Sequence, residues 1–214
     1  MAKRIFITAT NTDVGKTYTT KKLLRSYAAE GMRVGAIKLI ETGVSDEPSD
    51  GLELLETLKE LNAEFVDVTL EDIVPITYEL PAAPFVASQG KPLDFELLNE
   101  KIAKLEELCD VLLIEGAGGL LVPVDGSFMM IDLILFFQAS ALLVTHCSLG
   151  CINDTLLSLQ SLKNRNINAM VAFNCRENDS SFDEVSAPYF LHTGYDILKV
   201  DQDIDEISNL LYNL

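Results

Sequence analysis

The segment Thr10-Asn11-Thr12-Asp13-Val14-Gly15-Lys16-Thr17 carries the residue types that hold a polyphosphate. It follows the apolar run Ile5 to Thr8 and opens a helical pattern at Lys16, so the backbone N–H groups that begin the helix face the anion. Lys16 adds a cation, and the Thr17 hydroxyl is a hard oxygen ligand for Mg²⁺. Thr10 stands where the common pattern begins with glycine, a departure at its first position. The alternative, a plain strand-to-helix turn with an exposed lysine, is disfavoured by the strand before and the helix after. Two further segments complete such a centre. In Val111-Leu112-Leu113-Ile114-Glu115-Gly116-Ala117-Gly118-Gly119, four apolar residues lead to a carboxylate at a strand's C-terminal end, where it can face a metal. The glycines permit close backbone approach to a ligand or a sharp turn. In Ala36-Ile37-Lys38-Leu39-Ile40-Glu41-Thr42-Gly43, Lys38 ends a buried strand and points to the same edge, so two cations can share one anionic substrate. Asp50 reads equally as a further metal ligand or as a helix N-cap.

Elements must bring these groups together. Near-continuous apolar runs at Ile5–Thr8, Val34–Ile37, Val111–Ile114, Ala141–Thr145, Ala169–Phe173 and Ile197–Val200 predict strands buried on both faces. Apolar residues at three- and four-residue spacing predict helices over Lys16–Glu30, Leu52–Leu61, Phe95–Leu108, Ile152–Lys163 and Ile204–Leu211. The alternation describes one doubly wound α/β domain over residues 1–214 with a mostly parallel sheet, whose ligands bind at the carboxyl ends of the strands. The irregular stretch Glu41 to Asp50 falls at such an end and is a candidate for chemistry. A second, Pro75 to Pro92, holds four prolines and predicts turns around one short helix, Pro84 to Gln89.

Composition excludes several roles. The 214 residues carry 16 Lys plus Arg against 33 Asp plus Glu, and a net charge of −17 argues against a nucleic-acid or anionic-membrane surface. No run reaches the roughly 18 apolar residues of a spanning helix, and the basic start runs into the phosphate motif rather than a signal segment. The reading is a cytoplasmic protein. Cys109, Cys147, Cys151 and Cys175 lack a Cys-x-x-Cys pair and read as buried reduced thiols, and two histidines cannot assemble a His-rich metal site.

Taken together, Thr10–Thr17, Lys38 with Thr42-Gly43, Asp50, Glu115–Gly119 and Leu149-Gly150-Cys151-Ile152-Asn153 resemble the dethiobiotin synthetase family. They occur in the family's order between Ile5 and Asn174. The resemblance implies a P-loop NTPase-like three-layer fold and an ATP- and Mg²⁺-dependent ligase that carboxylates 7,8-diaminononanoate with CO₂ and closes the ureido ring. It implies that Lys38, Lys16 and Thr12 serve the reaction, and that Asp13, Val14, Gly15, Lys16, Thr17, Tyr18 and Asn174 hold the nucleotide. Thr17, Asp50 and Glu115 are implied as Mg²⁺ ligands. Thr42, Gly118, Gly150, Cys151 and Asn153 are implied as substrate contacts, the last three reaching the site from the neighbouring subunit of a homodimer. Ala9 stands where the family often has glycine, and the acidic, polar stretch Cys175 to Tyr189 departs from its base-contacting segment, leaving ATP, GTP and CTP open. Competing readings are a related ligase that activates a carboxylate for amide formation, and a partition-type ATPase switch. The switch is opposed by the net charge and by the absence of lysine from Thr10 to Val14.

Overall fold

The computed structural model describes residues 2–176, 179 and 181–214. In chain order the elements are β1 (Lys3–Ala9), α1 (Lys16–Ala29), β2 (Val34–Lys38), β3 (Ile40–Thr42), α2 (Ser49–Leu61), a 3₁₀ turn (Ala63–Phe65), α3 (Leu70–Ile73), β4 (Ile76–Tyr78), α4 (Pro84–Ala87) and α5 (Phe95–Glu106). They continue with β5 (Val111–Glu115), α6 (Met130–Phe136), β6 (Ser140–His146), α7 (Cys151–Asn164), β7 (Ala169–Asn174), α8 (Phe182–Val185), α9 (Ala187–His192) and α10 (Ile204–Tyr212). Five strands form a parallel sheet in the order β2-β5-β1-β6-β7, and β3 pairs with β4 in a small parallel sheet beside it. Helices cover the large sheet: α1 packs on α2 and α10, α5 against β2 and β5, and α7 against β6.

Both β2 and β5 are buried along their whole length, as their apolar runs require. Each fully buried Leu or Ile contributes about 2 kcal/mol of transfer free energy. Strand β1 lies at the centre, where the chain's winding switches from the β5–β2 side to the β6–β7 side, so the loop after β1 opens at the crevice that α/β sheets use for ligands. Register sets the chemistry: Lys38 on β2 and Ile7 on β1 both pair with Glu115 on β5.

Several sequence expectations need correction. The sixth strand, Ile197–Val200, reduces to a single bridge between Phe173 and Lys199. The Lys199 backbone N–H donates to Asp203 at 2.7 Å and the Asp203 N–H returns to the Lys199 carbonyl at 2.8 Å, turning the chain toward α10. Helix α2 starts at Ser49, so Asp50 lies in its first turn while Pro48 occupies the N-cap. The second irregular stretch holds β4 as well as the expected short helix, which ends at Ala87. Helix α6 escaped the periodicity because Met130–Phe136 is apolar on nearly every side; its signal is Asp132, which accepts from the Met129 N–H at 2.7 Å.

The expectation of four reduced thiols holds for Cys109 and Cys151, which are buried and free, and fails for Cys147 and Cys175, which form a disulfide. The two follow directly on His146 and Asn174, partners in the β6–β7 register, so parallel pairing delivers their Cα atoms to 4.9 Å despite a separation of 28 residues.

Candidate active site

The loop between β1 and α1 reaches its shape through two left-handed residues, Asp13 (φ 57°) and Gly15 (φ 100°). A Cβ on Gly15 would collide with the Asn174 side-chain amide, so glycine is required there by both conformation and space. Asn174, at the end of β7, donates its Nδ2 to the Val14 carbonyl at 2.8 Å, and Arg176 donates a guanidinium N–H to the Asp13 carbonyl. The strand end therefore holds the loop by two successive carbonyls. Lys16 opens α1 and donates to the Asn11 carbonyl at 3.2 Å.

Glu115, fully buried, is the hub of the centre. One oxygen accepts from the Thr17 hydroxyl at 2.8 Å and from the Lys38 ammonium at 2.7 Å, and the other accepts from the Thr20 hydroxyl at 2.7 Å. Lys38 also donates to Asp50 at 2.5 Å. Burial lowers the Lys16 ammonium to about 8, with repulsion from Lys38 adding to the shift. Burial works against the Lys38 ammonium too, but Glu115 and Asp50 outweigh it and raise it above its ordinary range. The Asp50 carboxyl is held below the usual range, because the charge and hydrogen bond of Lys38 overcome its own burial.

These groups surround a cavity of about 630 Å³ lined by Thr12, Asp13, Gly15, Lys16, Thr17, Tyr18, Lys38, Thr42, Asp50 and Gly118, with Glu115 buried at its base. An adjoining cavity of about 610 Å³ is lined by Gly15, Tyr18, Asn174, Arg176 and residues just before α10. Val14 is buried beneath the loop. The implied nucleotide and metal residues thus converge, as do Thr42 and Gly118 of the implied substrate set. Gly150, Cys151 and Asn153 sit at the start of α7 and line neither cavity. There a hydrogen-bond chain runs from Ser148 to His146 (2.6 Å), on to Asp154 (3.0 Å), and from Asp154 back to the Asn153 amide (3.0 Å). Of the departing segment after Asn174, residues 177, 178 and 180 lie outside the described residues.

Sequence reasoning missed four participants: Thr20, Arg176, His146 and Glu41. Thr20 carried a signal, since it lies one helical turn after Lys16 and shares its face. Glu41 carried none, being one of four acids in the polar stretch Glu41 to Asp50. It is buried and accepts from the Asp50 and Gly51 N–H groups at 3.1 and 3.0 Å, supplying the N-terminal cap that Pro48 lacks. Burial raises its carboxyl against the lowering effect of those two donors.

Thr17, Asp50 and Glu115 present only hard oxygens: the Lys38 ammonium joins Asp50 to Glu115, and the Thr17 hydroxyl donates to the same Glu115 oxygen. That donor set fits Mg²⁺, which takes one or two carboxylates and completes its shell with water and substrate phosphates. Among the described residues, no group of three or more His, Cys, Asp or Glu that could hold a metal ion occurs.

A family model described as an AAA domain matches residues 3–207. The ATP-dependent dethiobiotin synthetase BioD of Sulfurovum sp. is 50% identical over 186 residues, covering 87% of this chain and 89% of that protein. The enzyme of the same name from Wolinella succinogenes is 39% identical over 212 residues, 98% of each chain. Among solved structures, a plasmid partition protein from Borrelia burgdorferi matches with a TM-score of 0.57 at 11% identity, over 99% of this chain and 96% of its own. The MinC:MinD cell division protein complex of Aquifex aeolicus matches with a TM-score of 0.52 at 18% identity, over 98% and 86%. At those identities the solved structures establish the fold alone, a mostly parallel sheet between helices, and the sequence relatives establish the family. The chain belongs to the ATP-dependent dethiobiotin synthetases.

Proposed function

We propose that this chain is itself an ATP- and Mg²⁺-dependent dethiobiotin synthetase, acting as one ligase unit across residues 1–214. The observation that carries the reading is the pairing of two lysines on one sheet edge. Lys16 stands at a phosphate loop, and Lys38 is held by Glu115 and Asp50 in the same cavity. One amine of 7,8-diaminononanoate adds to the carbon of CO₂ and releases a proton, giving a carbamate. A carbamate oxygen then attacks the ATP γ-phosphorus, ADP leaves, and a carbamic-phosphoric anhydride results. The second amine attacks the carbamoyl carbon, phosphate leaves with the C–O bond electrons, and the amine proton is lost as the ring closes.

Such chemistry asks the protein for position and charge rather than covalent work. Lys16 and Lys38 neutralise the transferring phosphoryl group and the carbamate, Thr42 contacts the carbamate, and Thr12 lines the phosphates and the diamine. Asp13, Gly15, Tyr18 and Asn174 hold the nucleotide, with Val14 packed beneath. Thr17, Asp50 and Glu115 hold Mg²⁺, which supplies further charge neutralisation on the phosphates. Gly118 lets the backbone approach the diamine. Gly150, Cys151 and Asn153 bind the tail carboxylate in the cavity of a partner subunit, since they lie outside the cavities of their own chain.

A homodimer supports that arrangement: Leu121, Leu149 and Leu157 are 60%, 88% and 61% exposed, and Leu121 and Leu157 share a hollow with Thr10 and Asn11. On this reading the protein works in the cytoplasm on small molecules, and no helix among the described residues is long and apolar enough to cross a membrane. Cytoplasmic thiols are kept reduced, so the Cys147–Cys175 bridge has no part in the proposed chemistry.

The test is phosphate release from MgATP and bicarbonate, with and without the diamine, while the product is followed by mass spectrometry. Diamine-dependent release with the cyclic urea is expected, and Lys16→Ala should abolish it. Release without the diamine would point to a switch, and no release with ATP, GTP or CTP would overturn the proposal.

A further inference from the structure

The two cavities beside the phosphate loop share three wall residues, Gly15, Tyr18 and Arg176. A nucleoside triphosphate with its terminal phosphates beside Lys16 and its base in the adjoining cavity must cross that seam, where its α-phosphate falls. Gly15 has no side chain, and the Tyr18 hydroxyl is committed to Asp201 at 2.5 Å. Arg176 is the cation at the seam, and it is held from two sides. Its backbone N–H donates to the Asp179 carboxylate at 3.0 Å, and the Asp179 N–H returns to the Arg176 carbonyl at 2.9 Å. Its guanidinium reaches across to the Asp13 carbonyl, next to the Val14 carbonyl engaged by Asn174.

We propose that Arg176 is a nucleotide-binding residue that contacts the α-phosphate at the seam while holding the loop by the Asp13 carbonyl. A guanidinium has five donors in a planar fork, so one bond to a neutral carbonyl leaves donors for a phosphate oxygen pair. The electrostatics call for such a cation. A chain of net charge −17 repels a polyphosphate at long range, so affinity must come from cations placed along its path. Lys16 and Lys38 serve the terminal phosphates, and Arg176 adds the third charge on the base side. With two successive carbonyls fastened from β7, the N–H side of the loop is left to the anion. The assignment rests on the nucleotide reading above and deepens it: this contact recognises a phosphate, not a base.

Calorimetric titration of Arg176→Ala and Arg176→Lys with the magnesium complexes of ATP, GTP and CTP tests this, alongside steady-state kinetics. Arg176→Ala should weaken all three nucleotides by the same factor, about tenfold or more as expected for a lost charge-assisted bond. Its KM for the nucleotide should rise in step with the loss of affinity while its KM for the diamine changes less, and Arg176→Lys should recover part of the affinity. The melting temperature should not move, because the side chain is exposed. Unchanged nucleotide affinity would overturn the assignment. So would a loss confined to one base, or a rise in the diamine KM in place of the nucleotide effect. Calorimetry needs no turnover, so a failed synthetase assay on the parent protein and a failed role for Arg176 are separate results.

Discussion

Lys16 and Lys38 lie in one cavity, yet their surroundings shift them in opposite directions, and the difference is measurable. Lys38 faces two carboxylates and stays charged throughout the working range. Lys16 donates only to a carbonyl, and with its ammonium lowered to about 8 it is half neutral at that pH in the free protein. A bound triphosphate favours the charged form and raises the Lys16 pKa, so nucleotide binding at pH 8 should take up a fraction of a proton. At pH 6.5 Lys16 is already charged, and uptake should vanish. Titration calorimetry in two buffers of different ionisation enthalpy reads this directly. Equal apparent enthalpies in both buffers at pH 8, or uptake that survives in Lys16→Met, would remove Lys16 as its source.

At the scale of elements, the proposed metal ligand Asp50 depends on how α2 begins. Pro48 offers no side-chain cap, and Glu41 crosses from β3 to accept the first N–H groups instead. Glu41→Ala should lower the melting temperature by about 2–4 °C, the effect of roughly 1 kcal/mol lost from a helix cap in a chain of this size. It should also raise the Mg²⁺ concentration for half-maximal activity, because Asp50 sits in the turn that frays. A thermal shift without a change in the Mg²⁺ titration would separate the cap from the metal centre. This is also where sequence reading meets its limit. Groups at strand ends, such as Lys38 and Glu115, were legible because the apolar run before each one states its position and the parallel sheet states its edge. The strand pairing that makes Asn174 clasp Val14, and that sets Cys147 beside Cys175, depends on register between strands far apart in the chain. No local pattern encodes that. Helix α6 was hidden for a different reason, since burial on nearly every side erases the polar stripe by which a helix is recognised.

For the whole molecule, the proposed shared site makes a quantitative demand. If Asn153 of one subunit completes the cavity containing Lys38 of the other, a mixture of Lys38→Ala and Asn153→Ala chains regains one intact site in each mixed dimer. Random exchange makes half the dimers mixed, so the equimolar mixture should recover about a quarter of the parental activity, while each variant alone is inactive. Recovery that is absent after verified subunit exchange would place each complete site within one chain. The same experiment on a background of Leu157→Glu should give no recovery, because that charge lies on the exposed apolar face proposed to join the subunits.

The pairing of Lys38 with Glu115 across β2 and β5 has a consequence for how this chain can change length. The excursion between them holds β3, α2, α3, β4, α4 and α5, yet the distance between the two charges is set by the hydrogen-bond ladder of adjacent strands. Segments can be inserted or deleted in the part of that excursion after α2, wherever its packing is spared, and the ammonium will still meet the carboxylate. One residue lost inside Val34–Lys38 is different in kind, because strand side chains alternate and the slip would turn the lysine to the opposite face. The active centre is therefore calibrated by counting along two short strands, which makes it tolerant of large edits and intolerant of the smallest ones.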